Sequence, residues 1–142
     1  LVSGMINAVA TDHAPHTAAD KEGGAPGISG IETAFPLLYS RLVRPGRLDL
    51  RILVRAMAAA PARILGLNKG SLDVGRDGDV VLIDEDEEFT VTEDWLLSRG
   101  KNTPLIGERL RGRVWATVRR GEVVHLDGKI RGRDFDDHRS IV

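Results

Sequence analysis

The 142-residue sequence predicts an α/β unit followed by an all-β unit, dividing near residue 68 into segments 1–67 and 68–142. Three observations carry that prediction. A continuous apolar run, "MINAVAT" (Met5–Thr11), precedes two amphipathic helical stretches, an order that suits a βα unit of a covered parallel sheet. From Asn68 the helical periodicity gives way to the turn-rich "NKGSLDVGRDGD". Beyond it, "VVLID" and "RGRVWATVRRGEVVHLDGKI" carry strand-forming residues punctuated by glycine turns.

Each element has a local reason. Met5–Thr11 reads as a buried strand that delivers Asp12, His13 and His16 at its C-terminal end, where parallel sheets present their chemistry. Residues 17–30 read as a polar, glycine-rich loop. A helix follows: Ser29 and Glu32 have the spacing of a capping box, and Ile31, Ala34, Phe35, Leu38 and Leu42 share one face. Pro36 would break an interior hydrogen bond, so the helix either kinks there or begins nearer Thr33. "RPGR" (44–47) is a turn, and Asp49 caps a second helix reaching Ala59, with Leu50, Leu53, Val54 and Met57 on its buried face. Pro61 opens a short third helix that Gly66 ends.

In the second unit, Val80–Asp84 reads as a buried strand and the acidic run 84–88 as a solvated turn after it. Residues 111–130 read as two strands joined at Arg120–Gly121, with a turn at Asp127–Gly128. Trp95 and Trp115 are expected to pack within this unit, and the tail after Ile130 to be loosely held.

Composition excludes several function classes. Hydrophobic residues at 42% and charged residues at 29% suit a soluble globular chain. A net charge of −1 gives no basic excess for nucleic acid, and no apolar run approaches membrane-spanning length. The absence of cysteine excludes disulfides and thiolate metal sites, and fits a reducing cytoplasm, the expected location. The chain begins at Leu1 directly ahead of a strand, which leads us to expect part of a longer protein.

The stretch "AVATDHAPHT" (8–17) concentrates the chemistry. Asp12 suits a divalent-cation ligand, a general base toward a metal-bound water, or both; His13 and His16 suit metal or an anionic substrate. Equally, Asp12 could cap a turn and the histidines bond to solvent or backbone. A zinc site needs three or four protein ligands, and His125 and His138, the remaining imidazoles, read as structural and solvated respectively. In "GGAPGISG" the glycines allow close backbone approach to a ligand, or simply form a flexible loop before a helix; they do not match nucleotide-binding patterns.

Five blocks in order, "ATDHAPHT", "PGISGIETAFPLL", "AAAPARILGL", "KGSLDVGRDGDVVLID" and "KNTPLIGERLRGRVWATVRRGEVVHLDGKI", resemble the C-terminal portion of a dihydroorotase of the amidohydrolase superfamily, from about Met5 to Ile130. The resemblance implies the last strand and following helices of a (β/α)8 TIM-type barrel in residues 1–67. It implies the C-terminal part of a small β-sandwich domain in residues 68–142. The implied activity is zinc-dependent, reversible hydrolysis of dihydroorotate to N-carbamoyl-L-aspartate in pyrimidine biosynthesis.

The resemblance also assigns roles. Asp12 would touch the zinc centre and shuttle the proton; His16 would bind the substrate carboxylate; Pro26 and Gly27 would meet the substrate through their backbone. His13 belongs to the signature without a role of its own. The family's remaining metal ligands, its bridging lysine and its substrate arginine and asparagine would lie ahead of residue 1. The chain alone is therefore expected to be inactive, with the N-terminal part of the same enzyme as its first partner. Self-association or association with another pyrimidine-pathway enzyme stays open. Two other readings stay open too: a related cyclic amidase (allantoinase or dihydropyrimidinase), and a non-catalytic dihydroorotase-like structural partner.

Overall fold

The computed structural model describes residues 1–127 and 129–130. Gly128 of the predicted turn, the tail after Ile130 and His138 lie outside the described residues. Helices occupy residues between 18 and 64, and strands residues between 80 and 130.

The predicted strand Met5–Thr11 forms no ladder. A strand exists only through a neighbour, and the backbone of this stretch makes a single described bond, from Val9 N–H to the Ala56 carbonyl at 3.0 Å. Its apolar side chains are uncovered accordingly: Met5 is 88% exposed and Ile6 60%. Asp12 thus follows an unpaired stretch rather than a buried strand.

The predicted loop 17–30 contains a short helix, α1 (Ala18–Glu22), because "TAAD" is itself a capping box. The Thr17 hydroxyl accepts from Asp20 N–H, and the Asp20 carboxylate accepts from Thr17 N–H. The helix expected from Ser29 starts later, as α2 (Ala34–Leu38), with Thr33 at the N-cap position. This start places Pro36 in the first turn, where a missing N–H leaves no interior bond unmade. Ile31, expected on the buried face, lies ahead of the helix and is exposed. α2 runs into a π-helical turn, Tyr39–Val43.

Asp49 caps α3 (Leu50–Val54) as expected, accepting from Arg51 N–H at 2.7 Å. The chain then passes through a π-helical turn, Arg55–Ala59, directly into α4 (Ala60–Ile64). Pro61 offers no N–H to the Met57 carbonyl, and the helix adapts by widening: Ala60 N–H bonds to Arg55, five residues back. Gly66, at φ 65°, ends the run, while Leu67 N–H reaches back to the Ala62 carbonyl at 2.8 Å. Leu53 is fully buried with Tyr39 and Leu48, and Phe35, Leu38, Leu42, Leu50 and Met57 pack on that cluster. Val54, expected beside them, faces outward and is exposed.

The strands β1 (Val80–Thr90), β2 (Arg109–Arg119), β3 (Glu122–Leu126) and β4 (Lys129–Ile130) form an antiparallel sheet in that order. β1 is an edge strand, and Val81 and Leu82 are exposed rather than buried as predicted. The acidic run 84–88 is not a turn beyond β1 but a bulge within it. Asp84 Oδ1 accepts from the Asp86 and Glu87 amides at 2.9 and 2.8 Å. The outward carboxylates then meet β2 arginines: Glu87 pairs with Arg113, and Glu88 with Arg109 and Arg111. Arg120 and Gly121, at φ 51° and 81°, make the predicted two-residue hairpin between β2 and β3.

α2 and the π-helical turn that follows it lie against β2. Gly112, buried in mid-strand at φ 82°, permits this: a Cβ there would stand 2.8 Å from the Tyr39 ring. Phe35 stacks on Tyr39 with centroids 5.8 Å apart, and the Tyr39 hydroxyl donates to Glu85 at 2.9 Å. Burial, followed by the Glu85 carboxylate, holds the Tyr39 phenol above its usual pKa. Trp95 packs as expected, stacked on Phe89 at 4.8 Å, but Trp115 remains 46% exposed.

Candidate active site

Asp12 adopts φ 46°, a left-handed conformation that few residues other than glycine accept and that aspartate accepts better than most. It is exposed, and its carboxylate makes no hydrogen bond or ion pair with a described residue. Beside it, His13 has a definite task. Its Nδ1 accepts from the Gly30 and Ile31 amides at 3.1 and 3.3 Å. Two N–H donors on Nδ1 require that nitrogen unprotonated, so the neutral ring carries its proton on Nε2. Ala14 N–H donates to the Ile28 carbonyl at 2.9 Å, and His13 and Ile28 form a one-residue parallel bridge.

The glycine loop thus lies along the acid-bearing segment. Gly27, at φ 97°, would bring a Cβ to 2.6 Å from the Ala14 Cβ. The close approach at Gly27 in this structure is to Ala14 of the same chain. Lys21 Nζ folds the loop further, donating to the Ala25 and Gly27 carbonyls at 2.6 and 3.1 Å. Pro26 is exposed between them. At the far end of the segment, the half-buried His16 is held by its backbone, whose N–H donates to Asn102 Oδ1 at 2.8 Å. The Thr17 hydroxyl and amide, with a smaller contribution from the His16 imidazole, hold the nearby Asp20 carboxyl below its usual pKa.

A third strip, residues 97–102, completes the arrangement and was not legible in the sequence. Ser29 and Glu32, expected to cap a helix, bond to it instead. Ser29 Oγ lies 2.7 Å from the Gly100 carbonyl, and Glu32 accepts the Leu97 and Ser98 amides at 2.6 and 3.0 Å. Burial raises the Glu32 pKa, but the Ser98 and Leu97 hydrogen bonds outweigh it and hold the carboxyl below its usual value.

These residues can supply an exposed carboxylate, an imidazole and a glycine loop packed along the segment that bears them. Asp12 suits a divalent metal as a hard oxygen donor. Among the described residues, however, no three His, Cys, Asp or Glu side chains converge, while zinc takes three or more protein ligands. The residues present therefore fit one corner of a metal centre. His125, in β3, has its Nδ1 buried and unpartnered among the described residues, and lines a cavity of about 250 Å³ together with Glu32, Phe35, Met57, Trp95 and Leu97.

The model of the amidohydrolase family matches residues 12–125, from the candidate acid to β3. This chain belongs to the amidohydrolase family. Among related amidohydrolases, the dihydroorotase of Clostridium botulinum (strain Eklund 17B / Type B) is 43% identical over 120 residues, which is 84% of this chain and 30% of that protein. The dihydroorotase of Thermoanaerobacter sp. (strain X514) is 46% identical over 127 residues, 87% of this chain and 29% of that protein. Two solved amidohydrolases share the fold. The L-hydantoinase (dihydropyrimidinase) from Arthrobacter aurescens superposes with a TM-score of 0.85 at 33% identity, covering 92% of this chain and 31% of that one. The D-hydantoinase (dihydropyrimidinase) from Thermus sp. does so with a TM-score of 0.86 at 31% identity over the same shares. The chain thus spans about 30% of the length of the relatives it matches. Among the described residues, no helix is long and apolar enough to cross a membrane.

Proposed function

We propose that this chain is the C-terminal part of a zinc-dependent dihydroorotase, which opens and closes the ring amide of dihydroorotate in pyrimidine biosynthesis. In this reading residues 1–67 contribute the last βα portion of a TIM-type barrel, and residues 68–142 the C-terminal share of a small β domain. The observation that carries the reading is Asp12: an exposed carboxylate without a partner among the described residues, in a left-handed conformation, beside a glycine loop in a chain 43% identical to a dihydroorotase.

Bound zinc would supply a Lewis acid for the ring carbonyl and a water of lowered pKa. The chain's own residues handle the proton and the substrate. Asp12 takes the proton of the water that adds to the ring carbonyl carbon. It delivers that proton to the ring nitrogen as the C–N bond breaks, leaving a ureido group and a carboxyl group whose remaining proton passes to solvent. In ring closure the same residue donates the proton with which water departs. His16 donates a hydrogen bond to the substrate carboxylate, and the Pro26–Gly27 backbone borders the ring. Other partners, including copies of this chain, are left to experiment.

The two solved hydantoinases favour a second reading, a dihydropyrimidinase-type cyclic amidase. An assay of the full-length polypeptide containing this chain on dihydroorotate, dihydrouracil, a 5-substituted hydantoin and allantoin separates the two. We expect kcat/KM to be highest for dihydroorotate, with no turnover and no stoichiometric zinc in the isolated 142-residue chain. Preference for another ring transfers the assignment to that amidase. Turnover of none leaves a non-catalytic relative.

A further inference from the structure

We infer that Asn102 is a positioning residue of this site: its side-chain amide fixes the register between the acid-bearing segment and the glycine loop. The inference deepens the proposed function and rests on it for the substrate readout. Asn102 stands 86 positions beyond His16 in the chain and belongs to no helix or strand. Its Nδ2 donates in two directions, to the Ala14 carbonyl at 2.9 Å and to the Gly27 carbonyl at 3.3 Å. Its Oδ1 accepts from His16 N–H at 2.8 Å, which fixes the orientation of the amide. Its backbone carbonyl accepts from Ser29 N–H at 3.0 Å. Ser29 Oγ lies 2.9 Å from Oδ1 as well as 2.7 Å from the Gly100 carbonyl, and its single proton serves one of them at a time.

The fit is steric as well as polar. Gly100 is buried, and a Cβ there would fall 2.6 Å from His16 N and 2.7 Å from the Pro15 Cβ. The strip therefore lies directly on the Pro15–His16 backbone. Asn102 spans the narrow gap between the two segments that the proposed chemistry needs at a fixed separation. His16 and the Pro26–Gly27 backbone would grip the substrate from either side, and a donor pair tied to both sets that separation. Loss of the amide leaves the Ala14 carbonyl and the His16 N–H without partners and the Gly27 carbonyl with Lys21 Nζ alone, so the segments part locally while the core around Leu53 is untouched.

The test uses the full-length polypeptide with Asn102→Ala, Asn102→Asp, and Asn68→Ala as a control that removes an asparagine bonded to a distant turn. Amide hydrogen exchange reads the clamp independently of activity. We expect the His16 and Ser29 amides to exchange at least tenfold faster in Asn102→Ala, with KM for dihydroorotate raised tenfold or more and kcat changed less than threefold. Asn68→Ala should match the parent in all three. Asn102→Asp keeps the acceptor for His16 but lacks both donors, so it should raise KM similarly; it decides the matter if the alanine variant does not fold. Unchanged exchange overturns the clamp. Faster exchange with unchanged KM in an active enzyme reduces it to a structural contact and overturns its positioning role. If the parent turns over no cyclic amide, the functional reading falls, and exchange alone decides the clamp.

Discussion

Asp12 and His13 are adjacent yet face opposite demands. Asp12 holds a left-handed φ of 46° with its carboxylate unpartnered among the described residues, whereas His13 is committed through Nδ1 to the Gly30 and Ile31 amides. Such strain costs of order 1–3 kcal/mol and persists only where neighbouring contacts enforce it. The His13 bonds and the Ala14–Ile28 bond are those contacts. His13→Ala should therefore lower stability by about 1–3 kcal/mol, the penalty of leaving donors without an acceptor. His13→Asn, whose Oδ1 can replace Nδ1, should recover most of that in urea titrations; equal losses in both variants would contradict the assigned bonds. Glu32 makes a pH-dependent contribution. Its carboxyl is held below the ordinary 4.5 by the Ser98 and Leu97 bonds despite burial, so its stabilisation is complete above that value. It is lost as pH falls from 4.5 through the depressed folded pKa. Melting temperatures from pH 6 to pH 3 should fall less steeply in Glu32→Gln than in the parent, and parallel curves would refute this. Asp12 stands out in the sequence as a candidate acid, but neither the hydrogen bonds of His13 nor those of Glu32 were legible there. Both side chains act across 17 or more residues, on partners that no local pattern announces.

Among the elements, those governed by local chemistry were the readable ones. The Asp49 cap, the Gly66 stop and the Arg120–Gly121 hairpin each depend on a few neighbouring residues and stand where expected. The misread elements depend on distant partners. Met5–Thr11 has the composition of a strand but no described neighbour to pair with, and Ser29 has the spacing of a cap but a better partner in the strip near Asn102. The acidic run has the composition of a solvated turn, whereas cross-strand arginines keep it in β1. One glycine governs the docking of helix on sheet. Gly112→Ala meets both an unfavourable φ of 82° and a Cβ contact of 2.8 Å with the Tyr39 ring. We expect a loss of at least about 2 kcal/mol, with the Phe35–Tyr39 stack displaced. Full stability in the alanine variant would show that α2 does not rest on β2 in this way.

At the scale of the molecule, the segment that bears the candidate acid, the glycine loop and the strip near Asn102 are tied together by hydrogen bonds. The core centred on Tyr39, Leu48 and Leu53 is small, and apolar residues at both ends of the first unit, Met5 and Ile6, Leu65 and Leu67, stay exposed. The amidohydrolases that match this chain are about three times longer. That scale explains why the site could be read only in part. The motif names the candidate acid and the loop, the fold adds the strip that joins them, and among the described residues no three metal-binding side chains converge, where zinc takes three or more. The central claim is that Asp12 carries the proton in dihydroorotate ring opening. Its most direct test is kcat for dihydroorotate in the full-length polypeptide with and without Asp12→Asn, a change that preserves left-handed tolerance and removes the base. The account predicts a fall of about 10²–10⁴-fold at an unchanged melting temperature. A kcat that survives Asp12→Asn within a few-fold would contradict it.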